Sequence, residues 1–359
     1  MKFKSKIGIL NFQYSKHNYG AVLQAAALEF TLKELGHNVI HIDFEPKAKK
    51  TLRSIIGKLL RSLKIVKSNS LKVNNSEAFE NFRNNFISRT NKINSSKAFY
   101  NLAKEFDAII VGSDQVWRPR MSSDLMAFFL SYVPESVTRI SYAASFGVAD
   151  WELANGSNIT KKARRELKKF KAISCRELSG VQICKNTFGV DSVHVLDPLL
   201  LVDFSFYQQL MNKEIKDNSP IVYYKLDNND LFVAVIKKLY DEKPRNIYFK
   251  NSINLEYEEV TTWLNYLYNS NTIITDSFHC ICLGLIFSKE VIYSPNPKRG
   301  QARLDSLFSM LKISTHLVND DKSIPLYKLE MDHNMHDYLK EKRIEDILFI
   351  KEALSDNHR

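Results

Sequence analysis

Short apolar runs alternate with longer amphipathic segments along most of this chain, and that alternation constrains its fold more than any other feature. Apolar runs of about four to eight residues are typical of buried strands, and apolar residues repeated about every 3.6 positions are typical of helices. Strands that alternate with helices form parallel sheets joined by crossover helices. The sequence therefore predicts an α/β protein.

The order of these segments indicates two domains. With 359 residues the chain exceeds the size at which one hydrophobic core keeps growing, and a polar stretch at 203–219 separates two strand-and-helix patterns. We expect an N-terminal domain over 1–205, a C-terminal domain over 206–330, and a last segment, 331–359, whose helix packs back on the first domain. Two such domains face each other across a cleft at the carboxyl ends of their strands, where ligands bind. The predicted strands are 7–12, 39–44, 106–111, 139–142, 172–174, 192–195, 221–224, 246–249, 272–275 and 290–293.

The formal net charge of +11 implies acidic partners. Nine Lys or Arg residues, and no Asp or Glu, lie in an insertion at 47–72. Leucine and isoleucine recur there on one helical face, which is typical of a helix lying on an anionic membrane surface. Alternatively, that face packs on its own domain and the basic residues point to solvent. Because the insertion lacks interleaved aromatic residues, it does not indicate nucleic-acid binding.

Cysteine and histidine spacing argues against a disulfide scaffold or a metal site. The four cysteines form no Cys-x-x-Cys pair, so we expect reduced thiols, and the histidines lack metal-ligand spacing. The apolar run at 7–10 is too short for a signal-peptide core, and no apolar stretch is long enough to span a membrane. We therefore expect a cytoplasmic protein.

The first candidate site follows the first predicted strand. Asn18, Tyr19 and Gly20 lie where a helix opens, and a helix N-terminus offers unpaired N–H groups to a ligand. Gly20 permits a tight turn or a close backbone approach, and Gln24 lies one turn further on. We expect these residues to bind an acceptor, although a purely structural turn has the same pattern.

The second candidate site lies at the end of a buried apolar strand. Gly112 and Ser113 leave backbone donors accessible, and Asp114 and Gln115 are suited to binding sugar hydroxyls. Trp117 offers an aromatic plane for stacking on a sugar ring. The alternative for Trp117 is a core position, because tryptophan is usually mostly buried.

The third candidate site combines a histidine with arginines. His279 lies in the first turn of a predicted helix, where the helix dipole disfavours the imidazolium and favours a neutral base or proton relay. Arg176 follows a short strand, and Arg299 and Arg303 lie close together further on. Guanidinium groups bind phosphate and carboxylate. A structural histidine and solvated arginines are the alternatives.

Six motifs follow one another along the chain. They are Asn-Tyr-Gly-Ala-Val-Leu-Gln at 18–24, Val-Gly-Ser-Asp-Gln-Val-Trp at 111–117, Ser-Tyr-Ala-Ala-Ser-Phe-Gly at 141–147, Ser-Cys-Arg-Glu at 174–177, Leu-Asp-Pro-Leu-Leu at 196–200 and Thr-Asp-Ser-Phe-His at 275–279. Read together, these motifs resemble the polysaccharide pyruvyl transferase family over about residues 7–311. The resemblance implies two Rossmann-like domains facing a central cleft, as in GT-B glycosyltransferases. It also implies phosphoenolpyruvate as donor and no metal or redox cofactor.

The resemblance implies roles for individual residues. The family's Arg-Glu motif falls on Arg176 and Glu177, its late histidine on His279, and its C-terminal-domain arginine on Arg303. Ser277 stands where many relatives have an arginine, two residues before the histidine. Anion binding on that side then depends on Arg303, on Arg299 or on the helix N-terminus at Ser277 and Phe278.

The expected reaction forms a pyruvate ketal on a sugar. Arg176 and Arg303 hold the two anionic groups of phosphoenolpyruvate, and His279, titrating near neutral pH, moves the protons. The expected partner is a glycan, carried on a lipid at the inner membrane face where the basic insertion binds. The main alternative is a GT-B glycosyltransferase that uses a nucleotide sugar. A nucleic-acid-binding protein and a non-catalytic scaffold are further alternatives.

Overall fold

The computed structural model describes residues 4–46, 72–74, 77–211, 219–227, 230–240, 244–247, 249–250, 254–296, 300–319 and 324–355. Two of the sequence predictions therefore fall outside the described residues. These are the basic helix expected at 47–72, apart from its last residue, and the contact expected from Arg299.

Strands and helices alternate through most of the described chain. The strands are β1 Lys6–Leu10, β2 Asn38–His41, β3 Lys72–Asn74, β4 Ala108–Val111, β5 Thr138–Ser141, β6 Ser174–Cys175, β7 Val193–His194, β8 Ile221–Tyr224, β9 Arg245–Asn246, β10 Phe249–Lys250, β11 Asn254–Glu256, β12 Thr272–Thr275, β13 Glu290–Tyr293, β14 Ser314–Asn319 and β15 Leu326–Glu330. The helices are α1 Tyr19–Glu34, α2 Glu77–Phe86, α3 Ser96–Ala103, α4 Leu125–Phe128, α5 Asn158–Leu167, α6 Leu178–Ile183, α7 Pro198–Leu201, α8 Phe204–Leu210, α9 Asp230–Leu239, α10 Val260–Asn269, α11 Phe278–Ile286, α12 Gln301–Leu311 and α13 Met335–Leu354, with a π-helical turn at Cys184–Phe188 after α6.

A parallel sheet in the order β2-β1-β4-β5 organises the first half of the molecule. Its central strands are almost entirely buried, because helices cover both faces of the sheet. Bridges from Ile140 to Ala172 and from Ala144 to Cys175 continue this sheet towards β6. The loops after β4, β5 and β6 therefore lie side by side at one edge.

A mixed sheet in the order β14-β15-β13-β12-β8-β9 organises the second half. Strands β9, β8, β12 and β13 are parallel, and β15 runs antiparallel to both β13 and β14. These parallel sheets with crossover helices confirm the predicted class of two α/β halves. The β14–β15 hairpin was not predicted, since β14 is mostly exposed and lacks an apolar run.

Two details differ from the predicted elements. The strand expected at 246–249 is divided into β9 and β10, which belong to different sheets. Strand β3, at the end of the expected insertion, pairs in parallel with β11 from the second half. The segment after the insertion thus contributes to a sheet with the second half.

One hydrophobic cluster contains residues of both halves. Tyr19 of α1 stacks on Trp263 of α10, with ring centroids 4.5 Å apart and planes 5° from parallel. The last helix, α13, returns to the first half, where Asp346 Oδ2 accepts a hydrogen bond from Leu196 N at 2.7 Å. Arg343 of the same helix donates to the carbonyl oxygens of residues 200 and 202. Among the described residues, no helix is long and apolar enough to cross a bilayer.

Candidate active site

Loops and helix ends from both halves converge on one buried cluster. Asp114 follows β4, Arg176 follows β6, Asp197 precedes α7, and His279 lies in the first turn of α11. Each of these residues is at most 6% exposed. Because a buried charge is costly without partners, the contacts among these side chains define what the cluster can do.

Arg176 lies at the centre of the cluster. Its Nη1 donates to Asp197 Oδ2 at 2.7 Å, and its Nη2 donates to Asp114 Oδ1 at 3.1 Å. Ser113 Oγ donates to the same oxygen of Asp197 at 2.8 Å. Burial opposes the charge of Arg176, but the carboxylates of Asp197 and Asp114 outweigh burial and raise its pKa. Arg176 therefore stays protonated and is fixed by two carboxylates.

His279 brings the second half of the chain against Arg176. Its Nε2 lies 3.2 Å from Arg176 Nη1 and 3.8 Å from Asp197 Oδ2. Since a guanidinium can only donate, Nε2 accepts this hydrogen bond and the neutral ring carries its proton on Nδ1. A Cβ placed on Gly20 would lie 2.0 Å from that Nδ1. Glycine at position 20 is thus required for the approach of α1 to the imidazole.

The His279 ring is uncharged at neutral pH. Burial lowers its pKa to about 4, and the charge of Asp197 opposes that shift only in part. The neutral ring agrees with the sequence expectation, although burial rather than the helix dipole is its main cause. The expected titration near neutral pH is wrong for this buried ring.

Two guanidinium groups approach the ring of Phe278. The Cζ atom of Arg176 is 4.9 Å from the ring centroid, and that of Arg303 is 5.4 Å from it. Burial and the neighbouring charge of Arg176 lower the pKa of Arg303 to about 10. Its positive charge is therefore held at a free-energy cost that a bound anion would offset. Ser277 caps α11, because its Oγ accepts a hydrogen bond from Cys280 N at 3.4 Å.

The cluster thus combines an imidazole and two guanidinium groups where the two halves meet. The chain matches the family model described as Polysaccharide pyruvyl transferase over residues 18–296. The chain belongs to the polysaccharide pyruvyl transferase family. The matched range includes Asp114, Arg176, Asp197 and His279. No curated protein matches the chain.

This pyruvyl transferase family member also has similarity to solved structures. MnaA from S. aureus with UDP is 12% identical with a TM-score of 0.43, and the alignment covers 80% of this chain and 79% of that one. The UDP-GlcNAc 2-epimerase from Neisseria meningitidis is 11% identical with a TM-score of 0.41, covering 86% and 91%. The enzyme of the same name from Methanocaldococcus jannaschii is 11% identical with a TM-score of 0.42, covering 99% and 94%. We base the function on the family and on the site.

Trp117 does not line the site. Its side chain is fully buried, its Nε1 donates to Phe128 O at 2.9 Å, and its ring stacks on Phe129 at 5.5 Å. No face of the indole is open to a sugar ring, so the expected stacking role is wrong. Trp117 instead belongs to the core of the first half.

The first predicted site is also mostly internal. The hydroxyl of Tyr19 donates to Glu258 O at 2.9 Å, and its ring is covered by Trp263. Gln24 is fully buried within α1, and Asn18 caps that helix through its side-chain oxygen. These side chains cap and pack α1 and connect the two halves. Their contacts are therefore structural, in place of the acceptor binding that the sequence predicted.

The residues of the second predicted site lie around the guanidinium group of Arg176. Ser113 and Asp114 contact the guanidinium directly, and Gly112 is buried beside them. Asp114 has a φ of +79°, a left-handed conformation that aspartate tolerates better than most residues. Gln115 accepts a hydrogen bond from a nearby arginine at 2.8 Å. Most of this loop therefore positions Arg176 from within the protein.

Two carboxylates organise the cluster, although sequence reasoning named Glu177 only within the Arg-Glu motif and Asp197 only within the Leu-Asp-Pro-Leu-Leu motif. Asp197 binds both Arg176 and Ser113, as described above. Glu177 Oε1 accepts hydrogen bonds from Phe146 N at 2.7 Å and from Gly147 N at 3.1 Å, and so fixes the loop after β5. An Asp-Pro pair after an apolar run is a helix-start signal, and that signal could have drawn attention to Asp197.

Proposed function

We propose that this protein transfers the three-carbon unit of phosphoenolpyruvate to a glycan, forming a pyruvate ketal on one sugar and releasing phosphate. The observation that most supports this function is the 3.2 Å contact between Arg176 and His279 beside Arg303. It provides a neutral base next to two cations in a site with little access to water. Fixed positive groups of this kind stabilise a small dianion and its transition state.

The donor contacts are proposed for Arg303 and the start of α11. Arg303 is buried with a lowered pKa, and the first turn of α11 offers backbone N–H groups to an anion. Arg176 already donates to Asp197 and Asp114. A donor would have to compete with both carboxylates for Arg176. We therefore assign Arg176 to positioning His279 and to the local positive field, in place of the expected direct donor contact.

In the proposed reaction, one molecule of phosphoenolpyruvate reacts with two hydroxyl groups of the same sugar. The first hydroxyl oxygen attacks C2 as its proton is passed to the methylene carbon, which becomes a methyl group. The second hydroxyl oxygen then forms a bond to C2 as the bond from C2 to the phosphate oxygen breaks. Of the two hydroxyl protons, the first is thus given to carbon and the second leaves with phosphate.

His279 is proposed to accept the proton of the first hydroxyl and to return it to the methylene carbon. Its neutral ring at pH 7 can act as a base without first losing a proton. For that step the sugar hydroxyl must take the place of the Arg176 N–H at Nε2. General acid–base catalysis of this kind contributes about 10²–10⁴-fold to rate.

The acceptor is proposed to be carried on a lipid at the cytoplasmic face of a membrane. The support is the sequence of the insertion at 47–72, which is basic and has an apolar helical stripe. Sedimentation with anionic vesicles tests this location, and we expect binding that weakens as salt is raised. No binding at low salt would remove the membrane from the proposal.

Phosphate release from phosphoenolpyruvate, measured against a panel of synthetic and lipid-linked glycosides, tests the function itself. We expect release only when an acceptor is present, and a product with the mass of the pyruvate ketal. Phosphoenolpyruvate should raise the melting temperature, whereas UDP-glucose should not. A shift with UDP-glucose alone would instead support a nucleotide-sugar transferase.

A further inference from the structure

The proposed reaction needs a place for the acceptor sugar, and the residues expected to bind it are mostly internal. Trp117, Tyr19 and Gln24 are each at most 1% exposed. An acceptor that reaches His279 must therefore bind at some other surface of the molecule. The carboxyl edge of the first sheet is the natural place for it, since ligands of α/β proteins bind there.

A cleft of about 530 Å³ lies at that edge, beside the ends of β1 and β2. We call it the Tyr14 cleft; Tyr14 and Lys16 line it from the loop after β1, and Asp43 and Glu45 line it from the chain after β2. Its outer wall is formed by residues 80–92, from α2 onwards. Sites for small molecules have volumes of roughly 300–1,000 Å³, so the cleft can hold a saccharide.

A buried arginine builds the wall of the Tyr14 cleft. Arg83 is 2% exposed and donates to the carbonyl oxygens of Gln13, at 3.1 Å, and Ser15, at 2.7 Å. These two carbonyls flank Tyr14 in the chain, so Arg83 fixes the loop that carries the tyrosine. Arg83 also pairs with Glu80 at 2.7 Å. The cleft is therefore shaped by buried contacts.

The charges that line the cleft largely cancel. Glu80 pairs with both Arg83 and Arg89. The hydrogen bond from Arg89, and to a smaller extent that from Arg83, lower the pKa of Glu80 to about 2. Lys92 pairs with Glu45. A site with neutralised charges and many polar atoms suits an uncharged, hydroxyl-rich ligand better than a second dianion.

Two side chains offer the contacts that a sugar ring requires. Asp43 is half-buried, and its Oδ1 accepts a hydrogen bond from Gln13 Nε2 at 3.1 Å, which fixes the carboxylate for binding hydroxyl groups. Tyr14 is partly exposed, and its ring meets Phe12 edge-on at 5.9 Å. An aromatic face and a fixed carboxylate together recognise the C–H face and the hydroxyls of a pyranose.

The cleft also adjoins the candidate active site. Strand β1, which precedes the Tyr14 loop, pairs in parallel with β4, which precedes Asp114, so the two loops leave the same sheet edge side by side. The charge of Asp114 also contributes, after burial and Glu45, to the raised pKa of Tyr14. Asp114 contacts Arg176, which contacts His279. A sugar bound at Tyr14 therefore lies on the Asp114 side of the active-site cluster.

We infer that the Tyr14 cleft is the acceptor subsite and binds an uncharged hexopyranose unit of the glycan between Tyr14 and Asp43. Its role as acceptor subsite rests on the proposed function, but the binding of a hexopyranose does not. Tyr14 and Asp43 are then specificity-determining residues, which select the glycan that delivers two hydroxyls to His279.

Saturation-transfer NMR on the full chain tests the inference without requiring turnover. The probes are the methyl β-glycosides of D-galactose, D-glucose and D-mannose. We expect at least one of them to receive saturation from the wild-type protein, and Asp43→Asn and Tyr14→Ala to weaken that binding about tenfold. Tyr14→Phe should retain most of it if the ring face is the main contact. The matched controls, Asp150→Asn and Tyr100→Ala, change exposed residues outside the cleft and should bind as the wild type does.

The outcomes separate this inference from the proposed function. If no glycoside binds the wild type, or if the cleft variants bind as the controls do, the subsite assignment is overturned. If the glycosides bind in the cleft but phosphoenolpyruvate gives neither a thermal shift nor phosphate release, the proposed function fails and a saccharide site remains. An unchanged melting temperature without ligand in the cleft variants shows that they are folded.

Discussion

Arg176 and Arg303 both lie close to the Phe278 ring, yet their surroundings differ. Arg176 is bound by Asp197 and Asp114, which raise its pKa against the effect of burial. Arg303 is equally buried, but burial and the charge of Arg176 lower its pKa to about 10. The protein's carboxylates outweigh burial at Arg176, whereas burial and the charge of Arg176 outweigh them at Arg303, whose charge an added anion would stabilise.

This difference indicates that, within one cluster, one arginine holds its neighbours in place and the other is suited to bind a ligand. A cation with its own carboxylates holds neighbouring groups in place, because removing it leaves those carboxylates buried without compensation. A cation with a lowered pKa gains from a ligand that supplies negative charge. We therefore expect substitutions of the two arginines to affect different measurements.

The largest expected effect comes from His279, the group that both arginines surround. His279→Ala should lower the turnover number for phosphate release about 10²–10⁴-fold, since it removes the proposed proton acceptor. The melting temperature and the thermal shift with phosphoenolpyruvate should change little. His333→Ala is the matched control, because that side chain is 86% exposed. Near-normal turnover in His279→Ala would exclude the histidine from catalysis.

Arg176→Ala should act mainly on stability. It leaves the buried carboxylates of Asp114 and Asp197 without their cation, at a cost of about 3–5 kcal/mol in the free energy of unfolding. Urea denaturation measures this cost, and Arg165→Ala, at a side chain that is 68% exposed, is the control. Arg176→Lys should recover part of the stability but not the position of His279. A variant with normal stability and a raised donor KM would show that Arg176 binds the donor directly.

The sequence predicted the convergence of Arg176 and His279 better than it predicted residues that are open to an acceptor. Arg176 and His279 follow buried strands of the two halves, and the carboxyl ends of both sheets were expected to face one cleft, so their convergence followed from the pattern. Trp117 and Tyr19 also follow strands, but one packs in the core of the first half and the other joins the two halves. Position after a strand does not distinguish a side chain that faces a ligand from one that faces the core.

The Tyr14 cleft could not be found from local patterns. Its walls come from the loop after β1, the loop after β2 and residues 80–92, which become neighbours only in the folded chain. Helix α2 lies in that third segment and was not predicted. Arg83, the buried residue that shapes the wall, has the sequence context of a solvated helix arginine. Its role depends on two backbone carbonyls 68 and 70 residues away.

Arg303→Met should act on donor binding rather than on stability. Loss of hydrogen bonds to a charged group should raise the dissociation constant for phosphoenolpyruvate about tenfold to hundredfold. Because the folded protein holds this charge with a lowered pKa, the variant without donor should be at least as stable as the wild type. Isothermal titration calorimetry and urea denaturation measure the two quantities. Unchanged donor affinity in Arg303→Met would contradict the assigned contact.

The smallest expected effect concerns the pH dependence of stability. His279 has a pKa of about 4 in the folded protein and an ordinary value of 6.5. Between these values the unfolded chain binds more protons at this position than the folded chain does, so stability falls as pH falls below 6.5. From pH 7 to pH 5 this one group should remove about 2 kcal/mol.

The comparison of wild type with His279→Gln isolates that contribution. Other titrating groups, including His194 with its pKa lowered to about 4 by burial, are common to both proteins and cancel. Urea denaturation at pH 7 and pH 5 should show a larger loss for the wild type by about 2 kcal/mol. Equal losses would mean that the His279 ring accepts a proton as readily when folded as when unfolded. In that case the ring is hydrated rather than held against Arg176. His279 would then not link the two arginines to the proposed proton transfer.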